Sequence, residues 1–155
     1  MKIVIDELEL RKPCEKVKLF EMKGIVESFP NLVKTMKINN GVGLSSCQVG
    51  IHKTFFIAQI SSITKLFINP KIIKYSEEKY VEEEGCLSFP GVYKNIKRSN
   101  HITIQYFDYK TKKIIKEDYS NFSARVIQHE YDHLQGICCI LDKAIEEEGT
   151  INEKI

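Results

Sequence analysis

The nine residues from Gln128 to Gly136, "QHEYDHLQG", constrain this chain more than any other stretch. His129 and His133 are four residues apart, and on a helix that spacing sets two side chains one above the other on a single face. Both imidazoles can then reach one ion. Glu130 projects about 100° around the axis, where it meets a water on that ion rather than the ion itself. A divalent ion makes such a water acidic near neutral pH, and a nearby carboxylate can carry its proton. The pattern predicts a helix from about Asn121 to Gln135, capped by Ser120 or Asn121 and stopped at Gly136. Ala124, Ile127, Tyr131 and Leu134 recur at helical spacing and should face a core. The competing reading is a solvated polar face that carries two histidines by chance.

The flanking segments supply strands. "TFFIAQI" (Thr54 to Ile60) and "LFIN" (Leu66 to Asn69) read as buried strands, the second closed by Pro70. "HITIQYF" (His101 to Phe107) alternates, passes through the polar turn "DYKTK", and should pair with "KIIKED" as a hairpin. Upstream, "VESFPNLVKTMKINNG" predicts a second helix with Ser28 as cap and Pro30 in its first turn. It should stop before Gly41 and bury Leu32, Val33 and Met36. The expected class is α+β, with antiparallel strands packed around the helix that bears the histidines. No linker, low-complexity tract or internal repeat interrupts the chain, so residues 1–155 are expected to form one domain.

Composition narrows the compartment and the partners. A hydrophobic content of 43% suffices for a core without staples. The 23 basic and 21 acidic side chains leave a net charge of +2, which forces no basic patch, and a nucleic-acid partner is not expected. The N-terminal "MKIVIDELEL" carries acids and lacks the apolar core of a signal peptide. No run of about 18 apolar residues suggests a membrane span. Cys14, Cys47, Cys86, Cys138 and Cys139 are odd in number, irregularly spaced and without a Cys-x-x-Cys pair. They read as free thiols of a reducing compartment.

Two histidines do not complete a catalytic metal site, which usually has three protein ligands. Downstream, the tail offers Asp142, Glu146, Glu147 and Glu148 in what reads as a solvated terminus. Upstream, "EEGCLSFPG" follows a strand-like "KYV" and offers Cys86 after Gly85, although a lone thiol is more often inert and buried. A third stretch, "GVGLSSCQVG" (Gly41 to Gly50), lacks the lysine of a phosphate loop. It reads either as an ordinary glycine-rich turn or as a loop lining a substrate. In the second case its glycines would let an extended peptide approach, and Gln48 would offer a neutral amide donor.

In order and separation, "GVGLSSCQ", "EGCLS" and "QHEYDHLQG" resemble the three sequence blocks of the peptide deformylase family. Weaker similarity runs from "LRKPCEKV" through "FINPKII" to Gly136. The resemblance implies a metal-dependent hydrolase that removes the formyl group from N-formylmethionyl nascent peptides and releases formate. It implies Cys86, His129 and His133 as metal ligands and Glu130 as the carrier of the proton. Gln48 and the backbone N–H of Leu87 would stabilise the oxyanion, while Val42 and Gly43 would pair with the substrate backbone. Glu84 and Arg98 would steady the site from behind. The implied ion is Fe²⁺, with Zn²⁺, Ni²⁺ or Co²⁺ able to replace it. The implied setting is a monomer working near the ribosome in the cytoplasm of a bacterium, or of a host cell if the chain is phage-encoded.

Departures from the family pattern raise questions of their own. Ser45 and Ser46 replace an Ala-Ala pair and need hydrogen-bond partners if buried. Tyr93 stands where many bacterial members carry arginine. Arg125 stands where an apolar side chain often lines the methionine pocket; either it points into solvent with its stem on apolar surface, or it faces the pocket and alters side-chain preference. The short tail after Gly136 is expected to lack a long terminal helix, as in phage-type members. Two other functions compete: a metallopeptidase acting on ordinary amide bonds, and a binding protein on a decayed deformylase scaffold. The intact "HEYDH" and "EGCLS" argue against decay.

Overall fold

The segment "FFIA" is continuously apolar because both of its faces are covered. In the computed structural model, which describes residues 1–146, it lies in strand β2. The order begins with a short helix α1 (Glu7–Leu10) and a long helix α2 (Leu19–Ile38), followed by strand β1 (Gly43–Ser45) and a 3-10 turn over Ser46–Val49. Strands β2 (Phe55–Ile60), β3 (Ile63–Tyr75), β4 (Lys79–Cys86), β5 (Phe89–Ser99), β6 (His101–Asp108) and β7 (Lys113–Ser120) come next. Helix α3 (Asn121–Leu134), helix α4 (Cys139–Asp142) and strand β8 (Ala144–Ile145) complete it. One sheet runs β1-β2-β3-β6-β7 and a second runs β4-β5-β8, with every strand pair antiparallel. The class is α+β.

Alternation along β2 divides the core in two. Phe56 and Ala58 pack with Phe67, Ile104 and Tyr106 against Ala124 and Ile127 of α3. Phe55 and Ile57 point the other way, onto Met22, Ile25, Leu32 and Met36 of α2. The sheet is therefore held between two helices, and α3 is held in turn between that sheet and the β4–β5 hairpin. Ala124 to Leu134 are buried except Tyr131, which is half-buried against the core. The polar side of α3 is thus interior, and the solvated-face alternative fails.

Several boundaries differ from expectation for identifiable reasons. Helix α2 starts at Leu19 and not near Ser28; its cap is Lys18, whose N–H donates to Glu21 Oε1 at 3.0 Å. Pro30 therefore lies inside the helix, where it leaves the Val26 carbonyl without its helical donor. The Ser28 hydroxyl, freed from capping, donates to the Ile25 carbonyl at 2.6 Å. Pro70 does not end a strand either. β3 continues past it through a register shift between Ile68 and Lys71, a bulge of the kind that accommodates proline in a sheet. Asn69, at φ 49°, turns its side chain onto both backbone groups of Val17 there. The β6–β7 hairpin and the stop of α3 at Gly136, with φ 74°, are as predicted. Ser120 caps α3 by position only; its hydroxyl instead meets His101 Nδ1 at 2.6 Å.

An exposed proline inside α2 costs a hydrogen bond and gains no packing. Pro30→Ala is expected to raise stability by ~1–3 kcal/mol, read as a higher denaturation midpoint; a lower midpoint would show that the helix depends on the proline.

Candidate metal centre

β4 delivers Cys86 at its last residue, and α3 delivers two histidines one turn apart. The Cys86 thiol lies 3.3 Å from His133 Nε2, and one donor atom from each of Cys86, His129 and His133 lies within 4.8 Å of the others. Sulfur and two imidazole nitrogens at this separation fit a single divalent transition ion.

The orientation of His129 comes from behind. Its Nδ1 is 2.9 Å from Glu84 Oε1 and 3.4 Å from Cys139 Sγ. Burial opposes a charge on Glu84, but hydrogen bonds from His129 and Arg98 prevail and hold its carboxyl down at about 2. An ionised carboxylate only accepts, so Nδ1 carries the proton and Nε2 is left for the ion. Arg98 Nε and Nη2 donate to Glu84 at 2.7 and 3.0 Å, and Arg125 Nη1 also donates to it. Arg98 reaches on to Asp132 at 2.8 Å, and Lys143 holds the other Asp132 oxygen at 2.9 Å.

The two rings are tuned in opposite directions. Burial disfavours a charge on His129, yet Cys139, Cys86 and Glu84 raise its pKa well above the ordinary imidazole value, and the same electron-rich surroundings that draw a proton to Nε2 would draw a metal cation there in its place. Burial, then the charges of His129 and Arg98, push His133 the other way, which keeps a neutral ring with a lone pair to give. Among the described residues His133 Nδ1 has no hydrogen-bond partner, so the ring engages through Nε2 alone. Glu84, His129 and Cys139 form a second possible donor group. Two arginines already occupy that carboxylate, which makes the group a support for the first centre and not a second one.

A cavity of about 500 Å³ opens over the centre, lined among others by Gly43, Gln48, Cys86, Leu87, His129 and Glu130. Gln48 Oε1 accepts the Ser45 N–H at 2.9 Å, which turns the amide nitrogen toward Ser88 Oγ at 3.1 Å and Cys86 Sγ at 3.6 Å. Glu130 is only 4% exposed, and burial pushes its carboxyl upward. Gly43 faces it so closely that a Cβ there would stand 2.4 Å from Glu130 Oε2. β1 is an edge strand with only β2 beside it. The Val42 carbonyl accepts the Gln59 N–H at 2.8 Å, so strand alternation turns the backbone groups of Gly43 off the free edge. Of the pair expected to meet a substrate backbone, Gly43 is the one so oriented.

The remaining expectations divide. The Ser45 and Ser46 hydroxyls are fully buried and both partnered, on Glu130 and on the Lys53 carbonyl. Tyr93 stacks over Gly85, where a Cβ would meet its ring at 2.7 Å. Arg125 is not directed into solvent. It is 3% exposed, donates to Glu84 and to the Ile96 and Tyr80 carbonyls, and lies 4.5 Å from the Tyr80 ring centroid. The solvent-directed reading fails because β4 closes over the helix face that carries it, and the side chain stands in the cavity wall instead. Asp142 is bound by Arg11 at 2.8 and 2.9 Å and is no ligand, while Glu147 and Glu148 lie outside the described residues. Ser88, Asp132 and Cys139 also contribute, although sequence patterns do not point to them. Ser88 and Asp132 sit inside the quoted motifs, but nothing in the spacing marks Cys139.

If Cys86 is a ligand, Cys86→Ser should weaken divalent-ion affinity by at least ~10-fold or change the preferred ion, measured by competition with a chromogenic chelator. Unchanged affinity and preference would remove it from the donor set.

The profile of the polypeptide deformylase family matches residues 2–148. Peptide deformylase 1 of Clostridium perfringens is 44% identical over 139 residues, spanning 87% of this chain and 91% of that protein. The crystal structure of peptide deformylase from Thermotoga maritima superposes with a TM-score of 0.86 at 34% identity, covering 94% of this chain and 97% of its own. That of a peptide deformylase from Synechococcus elongatus in complex with actinonin has a TM-score of 0.85 at 29% identity, covering 99% of this chain and 82% of its own. Because the match runs through all three segments that build the centre, and not through the histidine helix alone, this chain belongs to the peptide deformylase family.

Proposed function

We propose that the residues around the cavity carry out the family reaction, hydrolysis of the formyl amide of N-formylmethionyl peptides with release of formate, in the following roles. Cys86, His129 and His133 hold one divalent ion, which supplies Lewis acidity and makes a water reactive near neutral pH. Glu130 takes the proton of the attacking water and later gives it to the departing amine as the carbon–nitrogen bond breaks. As negative charge develops on the formyl oxygen, the Gln48 amide and the Leu87 N–H donate to it. The backbone groups of Gly43 pair with the peptide as an added strand, with Val42 flanking it. The observation that carries this reading is the convergence of an amide donor and a buried carboxylate on the cavity above the Cys86, His129 and His133 donor set.

Fe²⁺ is the proposed physiological ion, with Zn²⁺, Ni²⁺ or Co²⁺ as substitutes; a thiolate with two imidazoles suits each of them. The proposed substrate pool is nascent peptides near the ribosome, and the proposed state a cytoplasmic monomer comprising one catalytic domain. No helix among the described residues is long and apolar enough to cross a membrane.

Protein loaded with metal under anaerobic conditions should release formate from formyl-methionyl peptides and leave unblocked peptides intact. Glu130→Ala should lower kcat by about 10²–10⁴-fold with the metal retained. Formate release at the original rate in that variant would overturn the role of Glu130, and equal cleavage of unblocked peptides would favour a peptidase.

A further inference from the structure

Ser45 lies on β1 two residues after Gly43, so both side-chain positions face the same way, toward Glu130. Each takes one oxygen of the carboxylate. Oε2 rests against Gly43, where no Cβ intervenes, and Oε1 lies 2.9 Å from Ser45 Oγ. The same hydroxyl is 2.9 Å from the backbone carbonyl of Glu130. Ser45 is fully buried and Glu130 nearly so, so no bulk water competes for these bonds.

We infer that Ser45 is a positioning residue for the reaction: its hydroxyl holds the Glu130 carboxyl in one rotamer against β1. The inference rests on the role of Glu130 proposed above. A hydroxyl has one hydrogen and two acceptor lone pairs. The Ser45 O–H has both Oε1 and the Glu130 carbonyl within donating distance. A methyl group, as in the alanine of the family pattern, can make neither bond. Through its backbone N–H on Gln48 Oε1, Ser45 also orients the oxyanion donor, and replacement of the side chain leaves that bond in place. Ser45→Ala therefore isolates the hydroxyl.

The test is a double-mutant cycle on the metal-loaded protein: Ser45→Ala, Glu130→Gln and the pair together, with formate release, metal content and thermal midpoint measured for each. Ser45→Ala is expected to lower kcat by about 3- to 30-fold, with KM and metal content unchanged. In the Glu130→Gln background the same change should have no further effect, because there is no carboxylate left to position. An unchanged kcat in Ser45→Ala overturns the inference. So does a loss that appears in KM or metal content, or one that persists undiminished beside Glu130→Gln. If Glu130→Gln alone leaves kcat intact, the proton role of Glu130 fails and takes this inference with it. If Glu130→Gln abolishes activity while Ser45→Ala does not alter it, the inference fails alone.

Discussion

The carboxylate of Glu84 ties β4, β5 and α3 into one unit. A charge this deeply buried is tolerable only when paired, and Glu84 has Arg98 from β5, Arg125 from α3 and the Nδ1 of His129. Those bonds fix the tautomer of His129 and the rotation of its ring, so Nε2 faces Cys86 and His133. They also set the distance between the hairpin that ends in Cys86 and the helix that carries the histidines. The three donors converge because one carboxylate holds their two carriers together.

The opposite wall of the site depends on a short edge strand. α2 and α3 clamp the five-stranded sheet on its two faces, and β1 is left as an edge beside the cavity. The absence of a side chain at Gly43 lets Glu130 come against the strand, and the backbone of Ser45 aims Gln48. Glu130 and Gln48, the proposed proton carrier and oxyanion donor, are thus referenced to the same three-residue strand.

The parts of this arrangement readable from the chain were those with local signatures. The histidine spacing, the stop at Gly136 and the alternation of "HITIQYF" each depend on residues within a few positions, and each holds in the structure. Failures came where a distant contact overrode a local signal. Ser28 looked like a cap, but α2 is held by core contacts that extend it back to Leu19. Pro70 looked like a strand end, but Asn69 pins a bulge onto Val17 and lets β3 continue. Arg125 looked like a surface residue because its partners lie 29 to 45 positions away.

The sequence alone thus carried the donor groups: a helix with two imidazoles and an acid, a thiol and an amide in two earlier segments, and the α+β class. Helical periodicity and the donor properties of each side chain are local facts, written wherever the residues stand. Folding settled which groups meet. Cys86 sits opposite His133, Cys139 lies behind His129, the Ser45 hydroxyl rests on Glu130, and the arginine on the helix turns inward. Such pairings span tens of residues along the chain. They arise from strand register and from the need to neutralise buried charge, and neither of these is visible in a local pattern.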